Sequence, residues 1–146
     1  MGTEPVVRDK RFDELSPGEL YEILRLRVDV FVVEQACAFG DLDGRDTEPT
    51  ARHLWLDESG RVVAYARILD GVDGTTHIGR IVTPLDRRDA GYGARIFREA
   101  LARTTGPVTI GAQSRLHDWY AHFGFAVCGD EYVEDDIPHL PMRLDR

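Results

Sequence analysis

The residues from Arg88 to Gly93, which read R-D-A-G-Y-G, have the types and spacing that suit the binding of a phosphate. They lie between an apolar, β-favouring run that ends near Val82 and a helical pattern that begins near Gly93. Glycines let a backbone approach a ligand closely, and the N-terminus of a following helix presents free N–H donors at the positive end of its dipole. Strand, loop and helix together therefore predict an anion site at this loop.

Two common phosphate loops are excluded by spacing. The nucleoside-triphosphate loop G-x-x-x-x-G-K-(S/T) needs a lysine after its second glycine, and no lysine follows Gly91 or Gly93. The dinucleotide fingerprint G-x-G-x-x-G would place its third glycine at Ile96, where glycine is needed for close packing of helix on strand. The pattern that remains is (Q/R)-x-x-G-x-(G/A).

This pattern resembles the loop with which the GNAT superfamily of N-acetyltransferases holds the pyrophosphate of coenzyme A. Residues Tyr120 to Phe125 read Y-x-x-x-G-F, a second GNAT motif, and the two motifs occur in the order expected for that superfamily. The sequence is similar to the ElaA-like branch in particular, in phrases such as VFVVEQ from Val30 to Gln35 and IPH from Ile137 to His139. The resemblance extends from about Leu20 to Met142.

The resemblance implies an α/β GNAT fold in which residues 1–146 form one domain. Its sheet is expected to be mixed and mostly antiparallel, with a central parallel pair of strands that splay apart and helices on both faces. The implied activity is direct transfer of an acetyl group from acetyl-CoA, as cosubstrate, to the amine of a small molecule or peptide, without a metal. The alternative is a non-catalytic acyl-CoA-binding module that keeps the loop but lacks productive geometry at Tyr120.

Cofactor contacts are implied for the central strand, the glycine loop and the second parallel strand: Ile81, Val82, Arg87, Arg88, Asp89, Ala90, Gly91, Tyr92, Gly93 and Gln113. The spacing leaves open which arginine contacts the phosphates, because the loop is one residue longer than usual. Counting forward from Pro84 selects Arg87, whereas counting back from Gly91 selects Arg88.

Acetyl transfer requires a neutral amine, a polarised carbonyl and a proton for the departing thiolate. The second motif implies that Tyr120 supplies that proton. The central strand, His77 to Val82, lacks the glutamate that many GNAT proteins use as a base, so the base is left open between His53 and Glu34. His53 is preferred because an unperturbed histidine pKa of about 6.5 already lies near working pH.

Arg67 and Arg80 are the candidate substrate-binding residues. Strand alternation places Arg80 on one face with the apolar Ile78, where an unpaired charge would be costly. We expect both arginines to hold an anionic group of the acceptor or a neighbouring carboxylate. In the alternative interpretation they pair with Glu34 and with the carboxylates of Glu134 to Asp136, and only tie the C-terminal strands to the sheet.

The elements that position these residues can be predicted in part. Ser16, followed by proline and by glutamate three residues later, begins a capping-box helix that extends to about Val33. Its buried stripe is predicted to be Tyr21, Leu24, Val28 and Phe31. The loop that follows, Glu34 to Pro49, contains carboxylates that are expected to be solvated turn residues rather than calcium ligands.

Two apolar runs separated by a glycine-containing turn, Arg52 to Asp57 and Arg61 to Asp70, predict a hairpin that leads into the strand ending at Val82. The amphipathic helix after the glycine loop stops at Gly106-Pro107, so Val108 to Gln113 is predicted to pair in parallel with that strand. A short helix from Ser114 and β-rich stretches at 125–128 and 132–143 complete the chain.

Composition excludes several classes of partner. The formal net charge of −8, without a run of lysines or arginines, argues against nucleic acid. No apolar run approaches the ~20 residues of a membrane span, so no membrane partner is expected. Cys37 and Cys128 have neither metal-ligand nor disulfide-framework spacing, which favours free thiols in a reducing cytoplasm. The oligomeric state is left open, with a homodimer as one option.

Overall fold

The computed structural model describes residues 4–146, which form a mixed sheet of eight strands with helices on both faces. The strands are β1 (Val6–Arg11), β2 (Arg52–Glu58), β3 (Arg61–Asp70), β4 (Thr76–Val82), β5 (Val108–Gln113), β6 (Ala126–Val127), β7 (Tyr132–Glu134) and β8 (Ile137–Leu144). The α-helices are α1 (Pro17–Arg27), α2 (Tyr92–Ala102) and α3 (His117–Ala121). A π-helix, Val28–Glu34, continues α1, and short 3-10 helices lie at Phe12–Glu14, Val72–Gly74, Leu85–Ala90 and Ser114–Leu116.

The sheet has the order β1-β2-β3-β4-β5-β8-β6, with β7 also paired to β8. All neighbours are antiparallel except β4 and β5, which are parallel as predicted. These two strands are in register only at Thr76–Val108 and His77–Thr109, whereas β5 pairs with β8 along its whole length. The later part of β4 therefore diverges from β5, and the predicted splayed pair is confirmed.

A β-bulge interrupts β4 at Arg80. Tyr65 of β3 opposes Val82 while Arg67 opposes Gly79, so β4 contains one extra residue, and Arg80 has a φ of 54°. An extra residue reverses the alternation of side chains along a strand. The expectation that Arg80 shares a face with Ile78 is therefore wrong, because Ile78 packs in the core beneath α2 whereas Arg80 reaches the loop that follows the π-helix.

The core has two parts, one on each face of the sheet. On one face the predicted amphipathic helix α2 buries Ile96, Phe97 and Ala100. On the other face α1 and the π-helix bury Ile23, Leu26 and Val30. None of the helices within residues 4–146 is long and apolar enough to cross a membrane.

The start of α1 is predicted correctly but its buried stripe is not. Ser16 accepts a hydrogen bond from the Glu19 N–H in a capping box. Tyr21, however, is 67% exposed and Val28 is 38% exposed. The fourth buried position of this helix is Arg27, which a rule based on hydrophobic periodicity does not select because its burial depends on ion-pair partners elsewhere in the chain.

Candidate active site

An open cleft of about 970 Å³ lies where β4 and β5 diverge. Its walls come from the π-helix and the loop after it, β4, the glycine loop, β5, α3 and the β7–β8 hairpin. Its lining includes the residues Glu34, Gln35, Phe39, Ile81, Val82, Arg88, Gly91, Gly93, Gln113, Tyr120, Tyr132 and His139. The fold thus brings the two sequence motifs, which are far apart in the chain, to one cavity.

The glycine loop meets this cleft through the N-terminus of α2. Gly91 is the N-cap residue in the left-handed conformation, with φ 78°, and no side chain caps the helix. The first helical hydrogen bond joins the Arg95 N–H to the Gly91 carbonyl at 3.1 Å, so the N–H groups of Tyr92, Gly93 and Ala94 precede it. A Cβ built on Gly91 would meet no atom within 4 Å. This geometry suits an anion bound by backbone donors.

The two candidate arginines point to different places. Arg88 lines the cleft and donates to both carboxylate oxygens of Glu34. Arg87 is absent from the lining and pairs with Glu58 at 2.9 Å, and the Tyr92 hydroxyl donates to the same carboxylate. The structure therefore places Arg88 in the cleft with Gly91 and Gly93, and Arg87 with Tyr92 outside it. Asp89 and Ala90 are exposed and lie outside the lining as well.

Tyr120 is held by other aromatic rings and is only 9% exposed. Its ring packs edge-on against Phe97 and Trp119, with centroids 5.4 and 4.9 Å apart. None of the hydrogen bonds found among residues 4–146 engages its hydroxyl, and burial raises the pKa of Tyr120 to about 12. The cleft is thus lined by a rigidly placed hydroxyl that remains protonated at neutral pH.

His53 cannot be the base predicted from the sequence. It is 0% exposed and does not line the cleft. Its Nε2 lies 3.0 Å from the Asp46 carbonyl, which only accepts, so Nε2 carries the proton and Nδ1 accepts from the Tyr65 hydroxyl at 2.7 Å. Burial, together with the charges of Arg27 and Arg67, lowers the pKa of His53. The ring is a neutral structural link with no free nitrogen.

Glu34, the other candidate base, does line the cleft, at the C-terminal end of the π-helix. The hydrogen bonds from Arg88 lower the pKa of its carboxyl, and burial opposes them only in part. A carboxylate whose pKa is lowered in this way is a poor proton acceptor. The structure gives Glu34 the role of partner to Arg88.

Arg67 and Arg80 bind neighbouring carboxylates, which the first interpretation allowed, but not the carboxylates that the alternative interpretation named. Arg67 donates to Asp43 at 2.7 and 2.8 Å and to Asp46 at 3.1 Å. Arg80 Nε lies 3.0 Å from Asp41 Oδ1 in an ion pair without hydrogen-bond geometry, and 3.5 Å separates its Nη2 from Asp43. The partners come from the loop after the π-helix, and not from Glu34 or the region 134–136.

Two carboxylates of that loop are not solvated, contrary to expectation. Asp41 and Asp46 are buried, and both bind Arg27, which is 0% exposed. Burial acts to raise the pKa of Asp46, but hydrogen bonds and charge from Arg27 and Arg67 outweigh it, and the pKa is lowered. For Asp43, too, hydrogen bonds and nearby positive charge outweigh the effect of burial, and the pKa is lowered. Arginines and aspartates neutralise each other here and fix the loop over the cleft.

Sequence reasoning gave no role to two histidines that line the cleft, His77 and His139. His77 Nδ1 is 3.1 Å from the Thr109 hydroxyl, and burial with three nearby arginines lowers its pKa. His139 belongs to the IPH phrase, and no feature of that phrase distinguishes it from the other histidines of the chain. Gln113 lines the cleft as predicted for a cofactor contact, 3.5 Å from Gln35.

Within residues 4–146 no group of three or more His, Cys, Asp or Glu side chains is arranged to hold a metal ion. Cys37 and Cys128 are free thiols.

Residues 25–146 match the acetyltransferase (GNAT) domain family. The chain is 43% identical over 134 residues to a UPF0039 protein of Mycobacterium tuberculosis, covering 88% of this chain and 86% of the relative. It is 38% identical over 145 residues to protein ElaA of Escherichia coli, covering 94% and 95%.

Solved structures agree with this match. An acyl-CoA N-acyltransferase from Pseudomonas aeruginosa superposes with a TM-score of 0.90 at 37% identity, covering 96% of this chain and 99% of that one. The crystal structure of Escherichia coli ElaA gives a TM-score of 0.89 at 35% identity, covering 97% and 99%.

Proposed function

Because the chain belongs to the GNAT acetyltransferase family, as a GNAT-type acyltransferase similar to ElaA, we propose that it transfers an acetyl group from acetyl-CoA directly to the amine of a small molecule or peptide. One observation carries the proposal. A single cleft joins an uncapped helix N-terminus, which suits a pyrophosphate, to the side chain of Tyr120, which is largely buried and whose hydroxyl has no hydrogen-bond partner among residues 4–146.

The glycine loop would hold the pyrophosphate. Gly91 leaves open space at the turn, and the N–H groups at the start of α2 need acceptors. Arg88 adds a guanidinium whose planar fork matches phosphate oxygens as well as it matches the Glu34 carboxylate. Ile81 and Val82, on the strand that diverges from β5, would contact the pantetheine arm, with Gln113 across the cleft on β5.

Acetyl-CoA supplies an acyl group activated as a thioester. Tyr120 would donate its proton to the departing sulfur as the carbon–sulfur bond breaks. Burial holds the Tyr120 hydroxyl in its protonated form, with a pKa of about 12, and the same apolar surroundings disfavour a free thiolate. The transfer needs no covalent acyl-enzyme, because the amine attacks the thioester carbonyl directly.

The test is a CoA-release assay with acetyl-CoA and a panel of amines: n-butylamine, spermidine, tyramine and a tripeptide with a central lysine. Calorimetry with CoA runs in parallel. Binding of CoA together with amine-dependent release supports the proposal. Binding without release from any amine would indicate the acyl-CoA-binding module instead. Absence of CoA binding would overturn both.

A further inference from the structure

In both histidines that line the cleft, His77 and His139, Nε2 makes no hydrogen bond among residues 4–146, but only in His139 does a backbone carbonyl hold Nδ1. His139 lies on β8 opposite Gln113 of β5, lines the cleft and is half-buried. Its ring stacks on Tyr132, with centroids 5.5 Å apart and planes 19° from parallel. The Tyr132 hydroxyl in turn covers Gly111, where an added Cβ would meet it at 2.6 Å. The imidazole is therefore fixed over the end of β5, where the strand has left β4.

A backbone carbonyl sets the tautomer of this ring. His139 Nδ1 lies 2.7 Å from the Ile137 oxygen. A carbonyl oxygen only accepts, so Nδ1 must carry the hydrogen, and in the neutral imidazole Nε2 is left with a free lone pair. No hydrogen bond among residues 4–146 uses that nitrogen. A neutral histidine held in this tautomer can accept a proton at Nε2.

The other histidine of the cleft, His77, and the two bases considered from the sequence, Glu34 and His53, are less suited to that task. His77 stands at the last registered β4–β5 pair, where burial and, in addition, the charges of nearby arginines disfavour its protonation. Glu34 is occupied by Arg88. His53 is enclosed in the core.

His139 also lies on β8, which pairs with β5 on the side away from β4, the strand that leads into the glycine loop. There the loop after the π-helix meets the β7–β8 hairpin, and Cys37 Sγ donates to the Asp135 carbonyl at 3.1 Å. Phe39, on the same loop, packs against Phe31 and under the Arg80 guanidinium. These contacts enclose a space that would receive the acceptor while the cofactor lies at α2.

We propose that His139 is the general base that takes a proton from the acceptor ammonium through Nε2, directly or across one water molecule. This inference rests on the proposed function. The neutral amine then forms the carbon–nitrogen bond as the carbon–sulfur bond breaks, and the sulfur takes the Tyr120 proton. The second proton lost by the amine nitrogen returns to Tyr120, and His139 releases its proton to solvent. Amide, CoA and one proton are the products.

The first test replaces His139 with asparagine, whose amide can still donate to the Ile137 carbonyl. We expect kcat to fall by about 10² to 10⁴-fold, the usual worth of a general base, with the acidic limb of the kcat profile lost. CoA affinity, measured by calorimetry, stays at the parent value. His122→Asn, at an exposed position directly after α3, is the matched control and keeps parent kinetics.

Neighbouring groups could also shape the pH profile. Elements packed around His139 carry the charged or titratable side chains Cys37, Arg115, Tyr132, Glu134, Asp135 and Asp136. Imidazole added to His139→Ala separates the base from these groups, because only a missing base is replaced by free imidazole. We expect imidazole to restore part of kcat in His139→Ala and to have no effect on the parent.

A readout independent of turnover is the ¹⁵N spectrum of the parent protein. It should show His139 with hydrogen on Nδ1, and its Nε2 resonance should shift when spermidine or the tripeptide is added with CoA. An Nε2–H tautomer, or parent-like kcat in a folded His139→Asn, would overturn the proposal. A parent that binds CoA but releases none with any amine would instead overturn the proposed function, and this inference with it.

Discussion

Arg88 and Glu34 form a bidentate pair across the cleft, with Nη1–Oε2 and Nη2–Oε1 distances of 2.5 and 2.7 Å. The pair joins the glycine loop to the end of the π-helix. Both side chains are more than a third exposed, Arg88 at 35% and Glu34 at 37%, so solvent screens the interaction. A phosphate that binds Arg88 has to compete with this carboxylate.

Removing the Glu34 carboxylate, which competes with a phosphate for Arg88, should strengthen cofactor binding. An exposed ion pair is worth about 0.2–1 kcal/mol, so Glu34→Gln should lower the CoA dissociation constant by up to about 5-fold in calorimetry. Glu58→Gln is the matched control, because it removes a carboxylate partner of Arg87 outside the cleft, where Arg87 keeps its second partner Asp86, and it should leave CoA affinity unchanged. If Glu58→Gln has the larger effect, Arg87 is the phosphate ligand.

The two loop glycines should differ in what their substitution costs. Gly91 has a left-handed φ of 78°, so Gly91→Val should lose roughly 1–2 kcal/mol of folding free energy as well as CoA binding. Gly93 is helical, and an added Cβ would only touch Thr83 at 3.7 Å, so Gly93→Val should fold normally and still weaken CoA binding. Parent-like CoA affinity in folded Gly93→Val would contradict the loop assignment. Gly18→Val, on α1, controls for the substitution itself.

Tyr120→Phe should reduce turnover by about 10² to 10⁴-fold while CoA affinity and melting temperature stay close to those of the parent. Stability should hold because the removed hydroxyl has no hydrogen-bond partner among residues 4–146. Tyr92→Phe removes a hydroxyl bound to Glu58 outside the cleft and should leave turnover unchanged. Steady-state kinetics of the two variants, with chemistry limiting the rate, separates the general acid from a packing residue.

Arg27 supports the fold rather than the chemistry. It is 0% exposed and binds Asp41 and Asp46, so Arg27→Met leaves buried carboxylates without their partner. We expect a loss of about 3–5 kcal/mol in the free energy of unfolding, measured in urea. Arg25→Met, on the exposed side of the same helix, should cost little. Equal stability of the two variants would show that the ion-pair cluster does not anchor the loop.

Folding stability should fall on mild acidification because of His53. Burial lowers its pKa in the folded state below the unfolded value of about 6.5, so the unfolded chain binds the proton first. The stability that the buried, neutral His53 ring contributes is fully present above a pH of about 6.5, and it is lost as the pH falls toward the pKa of His53 in the folded state. The melting temperature should thus drop between pH 7.5 and 5.5, and less so in His53→Gln. An unchanged slope in that variant would exclude His53 as the source.

Local features of this protein could be predicted from the sequence. The capping box at Ser16, the amphipathic helix α2 and the strand Val108–Gln113 depend on neighbours within a few residues, and each occurs where the pattern placed it. The glycine loop and Tyr120 lie in one cleft, as the order and spacing of their motifs predicted, because the β-α-β connection between parallel strands brings them together.

Tertiary structure alone decided the ion-pair partners and the direction of the charged side chains. Arg27, Arg67 and Arg80 are paired with aspartates of a distant loop, since a buried guanidinium takes whichever carboxylates the fold carries to it. One extra residue in β4 turned Arg80 away from the face that alternation assigned. His53 and His139 have the same side chain, but packing encloses one ring, whereas the other lines the cleft and its Nε2 makes no hydrogen bond among residues 4–146. Solvent access and hydrogen-bond partners depend on long-range contacts, which sequence periodicity does not encode.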